Sequence, residues 1–229
     1  MDIRYLLAEI ITAIYFMRSL LIQKSFVALL VLGGTVLEAN SQTTVLFNSL
    51  GGRPAGSDLI SAVGPIGASF SSGADNLDLV DITIGLTDGG SVGTGSTTVS
   101  LFSNNPEIGG PVPGGLLATL GTIPDSQLSS TYQDYDFPQS SPIPLSAATR
   151  YWIVLTATPT SSAEWAYTSD TGGVGVASEY FNNSGGTQPN TTGPYKLEVS
   201  AVPEPSSLAL LGLGLFAGGS LLRRKPTLG

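Results

Sequence analysis

A chain of 229 residues with neither cysteine nor histidine excludes disulfide stapling, thiol catalysis, Ser-His-Asp chemistry and any zinc site built on His or Cys. Only 11% of the residues are charged, whereas Gly (29) and Pro (15) are abundant, a balance that predicts a turn-rich β fold rather than a helical one. Between Thr43 and Val202 three basic residues (Arg53, Arg150, Lys196) face thirteen acidic ones, so this stretch carries −10 and offers no basic patch to a nucleic acid.

The chain opens with an apolar stretch, residues 1–16, interrupted by Asp2, Arg4 and Glu9. From Met17 onward a basic n-region (Arg18, Lys24) leads into an apolar h-region, Phe26 to Leu32, the layout of a secretory signal peptide read by the Sec machinery. Small residues at Ala39 and Ser41 fit the rule for signal cleavage, with Ser41 preferred. Two accounts of residues 1–16 stay open: a start assigned too early, with Met17 as the first residue, or an uncleaved N-terminal anchor.

The body, residues 42–201, leaves roughly 160 residues for one domain with its own core. Its acidity suits a domain kept soluble outside the cell. Along it, short alternating runs are separated by turn chemistry, at the spacing of an antiparallel sandwich. From Leu77 to Leu86, alternation predicts a strand with Val80, Ile82, Ile84 and Leu86 on one face and Asp81 and Thr83 on the other. The same period places Thr97, Val99 and Leu101 together, then Tyr151, Ile153 and Leu155, then Tyr195, Leu197 and Val199. Tyr151 to Thr158 is apolar on both faces, which predicts a central strand.

Turns are expected at Asp88-Gly-Gly90, Asn104-Asn-Pro106, Gly109-Gly-Pro111, Ser184-Gly-Gly186 and Thr192-Gly-Pro194. No helical pattern of useful length occurs between them. The expected fold is all-β: eight to ten strands in two packed antiparallel sheets, jelly-roll or Ig-like.

Several strings of the body, Thr98-Val-Ser-Leu-Phe-Ser-Asn, Gly115-Leu-Leu-Ala-Thr-Leu-Gly, Ala148-Thr-Arg-Tyr-Trp-Ile-Val-Leu and Ala163-Glu-Trp-Ala-Tyr, resemble the choice-of-anchor domains of exported bacterial proteins. The closest likeness is to type R, over roughly Thr44 to Val199. That resemblance implies a β domain paired with one of several C-terminal anchors, and no assigned activity.

Candidate chemistry in the body is sparse. A glycosidase needs two carboxylates across a cleft, and Asp134, Asp136, Glu164, Asp170 and Glu179 are the available ones. Asp134 and Asp136 lie on one strand face, too near in sequence to straddle a substrate by themselves. Asp75-Asn-Leu-Asp78 and Asp81 offer Ca²⁺ the oxygen ligands it prefers but lack EF-hand spacing, and they are read as solvated turn residues in preference to a Ca²⁺ site. Trp165 and Tyr167, with Tyr180 and Phe181 nearby, suggest either a sugar-stacking platform or core aromatics. Asn182-Asn-Ser184 and Asn190-Thr-Thr192 match the glycosylation pattern, which carries no weight in a bacterium. The expectation is therefore a protein without catalytic residues, cofactor or resident metal.

At the C-terminal end, Val202-Pro-Glu-Pro205 precedes an uncharged stretch, Ser206 to Leu222, and then Arg223-Arg-Lys225. Seventeen residues at ~1.5 Å each span about 25 Å, and arginine snorkelling makes up the difference to a hydrocarbon core of ~30 Å. The Arg223, Arg224 and Lys225 cluster sets the basic end on the cytoplasmic side of the inner membrane, leaving the body outside. Pro203 and Pro205 keep Glu204 in extended backbone next to the span. Gly214 and Gly218 form a small-xxx-small pair, read as coincidence in a Gly-rich tail.

In this order, Val202 to Lys225 resembles the PEP-CTERM sorting signal of Gram-negative bacteria. The resemblance implies that exosortase, a membrane-embedded transpeptidase-like enzyme, engages Val202, Pro203, Glu204 and Pro205 as substrate residues and removes the helix. It also implies an association with exopolysaccharide and biofilm matrix. The expected function is an exported, surface- or matrix-associated, non-enzymatic protein, anchored at least transiently during sorting. The alternative is a carbohydrate-binding module or weak glycan hydrolase of the cell envelope.

Overall fold

A computed structural model describes residues 42–60, 65–91, 93–106, 111–183, 188–189 and 193–204. Several expectations fall outside these residues. They are the signal region with Ala39 and Ser41, the Met17 start, Pro205, the apolar span 206–222 and Arg223, Arg224 and Lys225. Gly109-Gly110, Ser184-Gly-Gly186 and Asn190-Thr-Thr192 also fall outside.

Thirteen strands occur in the described chain, running β1 Thr44–Asn48, β2 Pro54–Leu59, β3 Ile66–Ser71, β4 Leu77–Thr87, β5 Ser96–Asn105, β6 Val112–Pro124, β7 Gln133–Asp136, β8 Ile143–Leu145, β9 Arg150–Ala157, β10 Glu164–Thr168, β11 Phe181–Asn183, β12 Gln188–Pro189 and β13 Leu197–Pro203. The count exceeds the expected eight to ten because β7, β8, β11 and β12 are four residues or shorter, too brief to leave a period-2 signature. Among the described residues no α-helix is present, only short 3-10 turns at Asp125–Gln127 and Val176–Ser178.

Every strand pairing is antiparallel. One sheet runs β1-β13-β4-β10-β2, and the other runs β12-β11-β3-β9-β5-β6. The long strand β4 organises the first sheet. It pairs with β13 along Leu77 to Ile84 and with β10 at Leu86 and Thr87. It also pairs with β8 at its start and β7 near its end. Because β7 and β13 both pair with Thr83 and Ile84, they must occupy opposite edges of β4.

Side chains from both sheets meet in one hydrophobic core. Leu79, Ile82, Ile84, Leu86, Trp165, Leu197 and Val199 come from the first sheet, and Ile66, Phe70, Val99, Leu101, Ile153 and Leu155 from the second; all are buried. Full burial of each such side chain contributes roughly 1.5–3 kcal/mol. The alternation read at Thr97, Val99 and Leu101 and at Tyr151, Ile153 and Leu155 places all six on buried positions. On the opposite face of β9, Trp152 and Val154 are buried as well, and β9 lies between β3 and β5 as a central strand should.

One expectation is corrected in β4. Leu77 and Leu79 are buried, Val80 is half-buried, and burial resumes at Ile82, Ile84 and Leu86. The ladder to β13 passes from Asp81 opposite Ser200 directly to Leu79 opposite Ala201, leaving Val80 as an extra residue. A β-bulge there shifts the phase by one, so Val80 leaves the face it would otherwise share with Ile82. At the Asp88-Gly-Gly90 turn, Gly89 (φ 64°) and Gly90 (φ 80°) take the left-handed backbone that glycine permits, and Asp88 Oδ1 accepts from Gly90 N at 2.7 Å.

Candidate functional site

The Val202-Pro-Glu stretch grows out of the sheet itself. Strand β13 runs two residues past the expected end of the body at Ala201, because Val202 pairs with Asp78 and Pro203 with Leu77 of β4. Ala201 is fully buried and is flanked on its other edge by Thr44 of β1. Beyond it Val202 is half-buried, while Pro203 and Glu204 are exposed. Pro203 has no N–H to donate, which is the local reason the ladder stops there. Glu204 is thus presented to solvent immediately after a paired strand, and the first segment of the sorting stretch is already extended by the sheet.

The five candidate carboxylates do not converge as one group. Asp134 and Asp136 are exposed on β7, where Asp134 accepts from the Tyr132 hydroxyl and Asp136 from Thr83 Oγ1 at 2.8 Å. Glu164 opens β10 and accepts from Ser57 Oγ at 2.5 Å. Asp170 is exposed after β10, where its Oδ1 accepts from Gly172 N at 2.8 Å. Glu179 lies in the loop before β11, where its carboxylate reaches the other sheet and is held by Ser69 Oγ (2.5 Å), Ser71 Oγ (2.6 Å) and Arg150 Nε (2.9 Å). Its side chain is 1% exposed, which makes it a buried ion-pair centre rather than a group open to substrate.

Among the Ca²⁺ candidates, Asn76 Oδ1 is occupied by the N–H of Ala147 at 2.8 Å. Among the described residues, no three acidic side chains come together as a metal-holding group. Asp81 sits outward on β4 with Oδ1 buried and without a hydrogen-bond partner. Burial first, then the charge of Asp136, raises its carboxyl above the ordinary range, partly opposed by a backbone hydrogen bond at Ile82. A raised folded-state value means that the folded chain holds its proton more tightly than the unfolded one, so stability falls as pH rises through that window. Asp81→Asn is therefore expected to raise the melting temperature at pH 7, with the gain vanishing below about pH 3.8, where both carboxyl states are protonated. Paired thermal melts at pH 7 and pH 3 check this.

The aromatic platform is not formed. Trp165 is fully buried, stacked on Tyr195 with centroids 4.6 Å apart, and its Nε1 donates to Lys196 O at 3.0 Å. Tyr167 packs against the same core, and Phe181 meets Phe47 edge to face at 6.1 Å. Tyr180 alone is exposed, and the Arg150 guanidinium covers its ring at 4.8 Å. Alternation correctly paired Trp165 with Tyr167, and the face they share is the inner one. Asn182 is buried in β11, out of reach of a modifying enzyme.

Two buried polar centres have no local sequence signal. Asp125, 1% exposed, accepts from Ser161 Oγ (2.7 Å), Ser162 N (3.0 Å) and Gly95 N (3.2 Å), tying three loops together. Lys196, also 1% exposed, donates from Nζ to the carbonyls of Leu50 and Gly52, and stands 5.0 Å from the Tyr132 ring centroid. Burial lowers its ammonium below the ordinary lysine value, against the pull of Asp134 and Asp170. Burial, then hydrogen bonding to Asp134 and that residue's charge, raises Tyr132. Both Asp125 and Lys196 have their partners within the body, so they hold loops in place.

Among the described residues no helix is long and apolar enough to cross a membrane. A family model described as the PEP-CTERM protein-sorting motif matches residues 201–225. Such motifs are recognised by exosortase and belong to export with membrane-associated sorting to the cell surface. No curated protein matches the chain.

Proposed function

We propose that this chain is a non-enzymatic envelope protein whose β body is carried across the inner membrane by the Sec route, held there by a C-terminal helix, and released to the surface or matrix when exosortase removes the tail. The observation that carries this reading is the sorting motif at residues 201–225 continuing the last body strand without a break. On this reading, the signal peptide ends at Ser41, residues 206–222 span the membrane, and Arg223, Arg224 and Lys225 hold its far side in the cytoplasm. Val202, Pro203, Glu204 and Pro205 are substrate residues, of which Pro203 and Glu204 are exposed at the end of the last body strand.

The body is read as a two-layer sandwich of the choice-of-anchor type. Its four resemblance strings fall on or beside β5, β6, β9 and β10, framework strands of both sheets, which supports a shared scaffold rather than a shared active site. A role beside exopolysaccharide belongs to the same proposal. Among the described residues no row of exposed aromatics is present, which favours matrix association over a carbohydrate-binding module. A glycan array on residues 42–204 separates the two, since saturable binding of one glycan class would favour the module.

Replacing Pro203-Glu-Pro205 by three alanines is the direct test. The expected outcome is retention of the body in the inner membrane together with its tail, at unchanged expression. Release of the altered chain at the normal rate would overturn the assignment of these residues as the recognition box.

A further inference from the structure

We propose that the end of β13 is a latch: the sorting motif is engaged only after Ala201, Val202 and Pro203 leave the body sheet, so the folded body limits its own processing. The inference rests on the sorting reading above and adds a control step to it. The matched motif starts at residue 201, and its first three residues belong to the ladder of β4. No linker separates fold from motif.

An enzyme that exchanges a peptide bond must lay the substrate backbone in a cleft, pairing its N–H and C=O groups with its own and aligning one carbonyl with a nucleophile. Ala201 is unavailable for that while Leu79 occupies one edge, Thr44 the other, and its side chain is fully buried. Val202 and Pro203 retain β4 as a neighbour on one edge.

The same end is built to open. Strand β1 begins at Thr44, opposite Ala201, so it contributes no pairing beyond that residue. Pro203 donates no hydrogen bond. The bulge at Val80 interrupts the ladder between Ser200 and Ala201, separating the last three residues from the regular register of Leu197 to Ser200. Strand ends held by few hydrogen bonds open locally without global unfolding. The latch is therefore a local equilibrium that sets how often the motif is presented.

Processing kinetics test this in the full-length chain, tagged in the body and at the C-terminus and expressed with its sorting enzyme. Gly-Ser-Gly-Ser inserted between Ser200 and Ala201 leaves the motif at its distance from the membrane while freeing it from the sheet. Tail removal in a pulse-chase is expected to quicken roughly 5- to 30-fold, the factor that goes with the loss of a one- or two-hydrogen-bond restraint. In a second variant, Thr44→Cys with Ala201→Cys, the two cysteines face each other across the β1–β13 ladder in a chain that has no others. Its oxidised form is expected to resist processing and its reduced form to regain it.

Equal, non-zero rates for the unaltered and inserted chains overturn the latch, as does processing of the oxidised pair at the reduced rate. If neither the unaltered nor the inserted chain loses its tail, the sorting reading itself fails.

Discussion

Glu179→Ala is expected to lower the stability of the body by about 3–5 kcal/mol, the cost of breaking a buried charge pair from one side. Deleting its carboxylate leaves the hydroxyls of buried Ser69 and half-buried Ser71 without their acceptor and removes the partner of Arg150 Nε. The loss acts across two elements, since Ser69 and Ser71 lie on β3 and Arg150 begins β9. For a body of this size the melting temperature should fall on the order of 10 °C. Glu179→Gln keeps the shape and one carbonyl acceptor, so it should fall between wild type and alanine. Arg150→Met should cost less than Glu179→Ala, because the arginine side chain is 26% exposed and the carboxylate it leaves behind keeps both serine donors. Chemical denaturation of the three variants checks the order; equal stability of Glu179→Ala and wild type would remove the ion-pair centre from the account.

The second large effect is expected at Trp165. Trp165→Ala should cost about 3–5 kcal/mol, since a fully buried aromatic is lost and the surrounding strands close the cavity only in part. Trp165→Phe separates the contributions. It retains a ring against Tyr195 but gives up the hydrogen bond from Nε1 to Lys196 O, so roughly 1 kcal/mol is expected from that bond, plus a smaller packing loss. A sugar-stacking role predicts the opposite pattern, with stability preserved and glycan binding reduced. Unfolding curves for the two variants therefore decide between a core residue and a ligand platform.

Much of the framework was legible because period-2 alternation is a local property. Thr97, Val99 and Leu101, and Tyr151, Ile153 and Leu155, reach the core as their spacing requires, and β9, apolar on both faces, is central. What alternation cannot give is which face is covered. Trp165 and Tyr167 share a face on any reading, but only the second sheet makes that face the interior. Nor does it reveal a bulge: Val80 continues the apolar pattern of Ile82 and Ile84, and its displacement follows from register against Ser200 and Ala201, more than a hundred residues away. The same holds for the buried charges. Glu179 looks like any surface carboxylate until Ser69, Ser71 and Arg150 surround it, and Asp125 needs Ser161 and Ser162 from a distant loop.

The sorting segment was the reverse case. Its meaning lies in the order of a Pro-Glu-Pro box, an apolar stretch and a basic cluster, all contiguous in sequence, so it was readable without a fold. The fold contributed the junction. Strand β13 carries Val202 and Pro203 into the ladder, where a boundary at Ala201 had been expected, so the start of the sorting segment is a direct continuation of the body. The position of the junction ties body stability to tail access, through pairing that ends where proline removes the next donor.

The most direct test of the central claim is fractionation of cells that express the full chain with one tag in the body and another at the C-terminus. Sorting by the tail predicts that the body tag appears at the surface or in the medium without the C-terminal tag, which stays in the inner membrane or is degraded. Both tags remaining together in the inner membrane would contradict it and leave a protein that is anchored and nothing more.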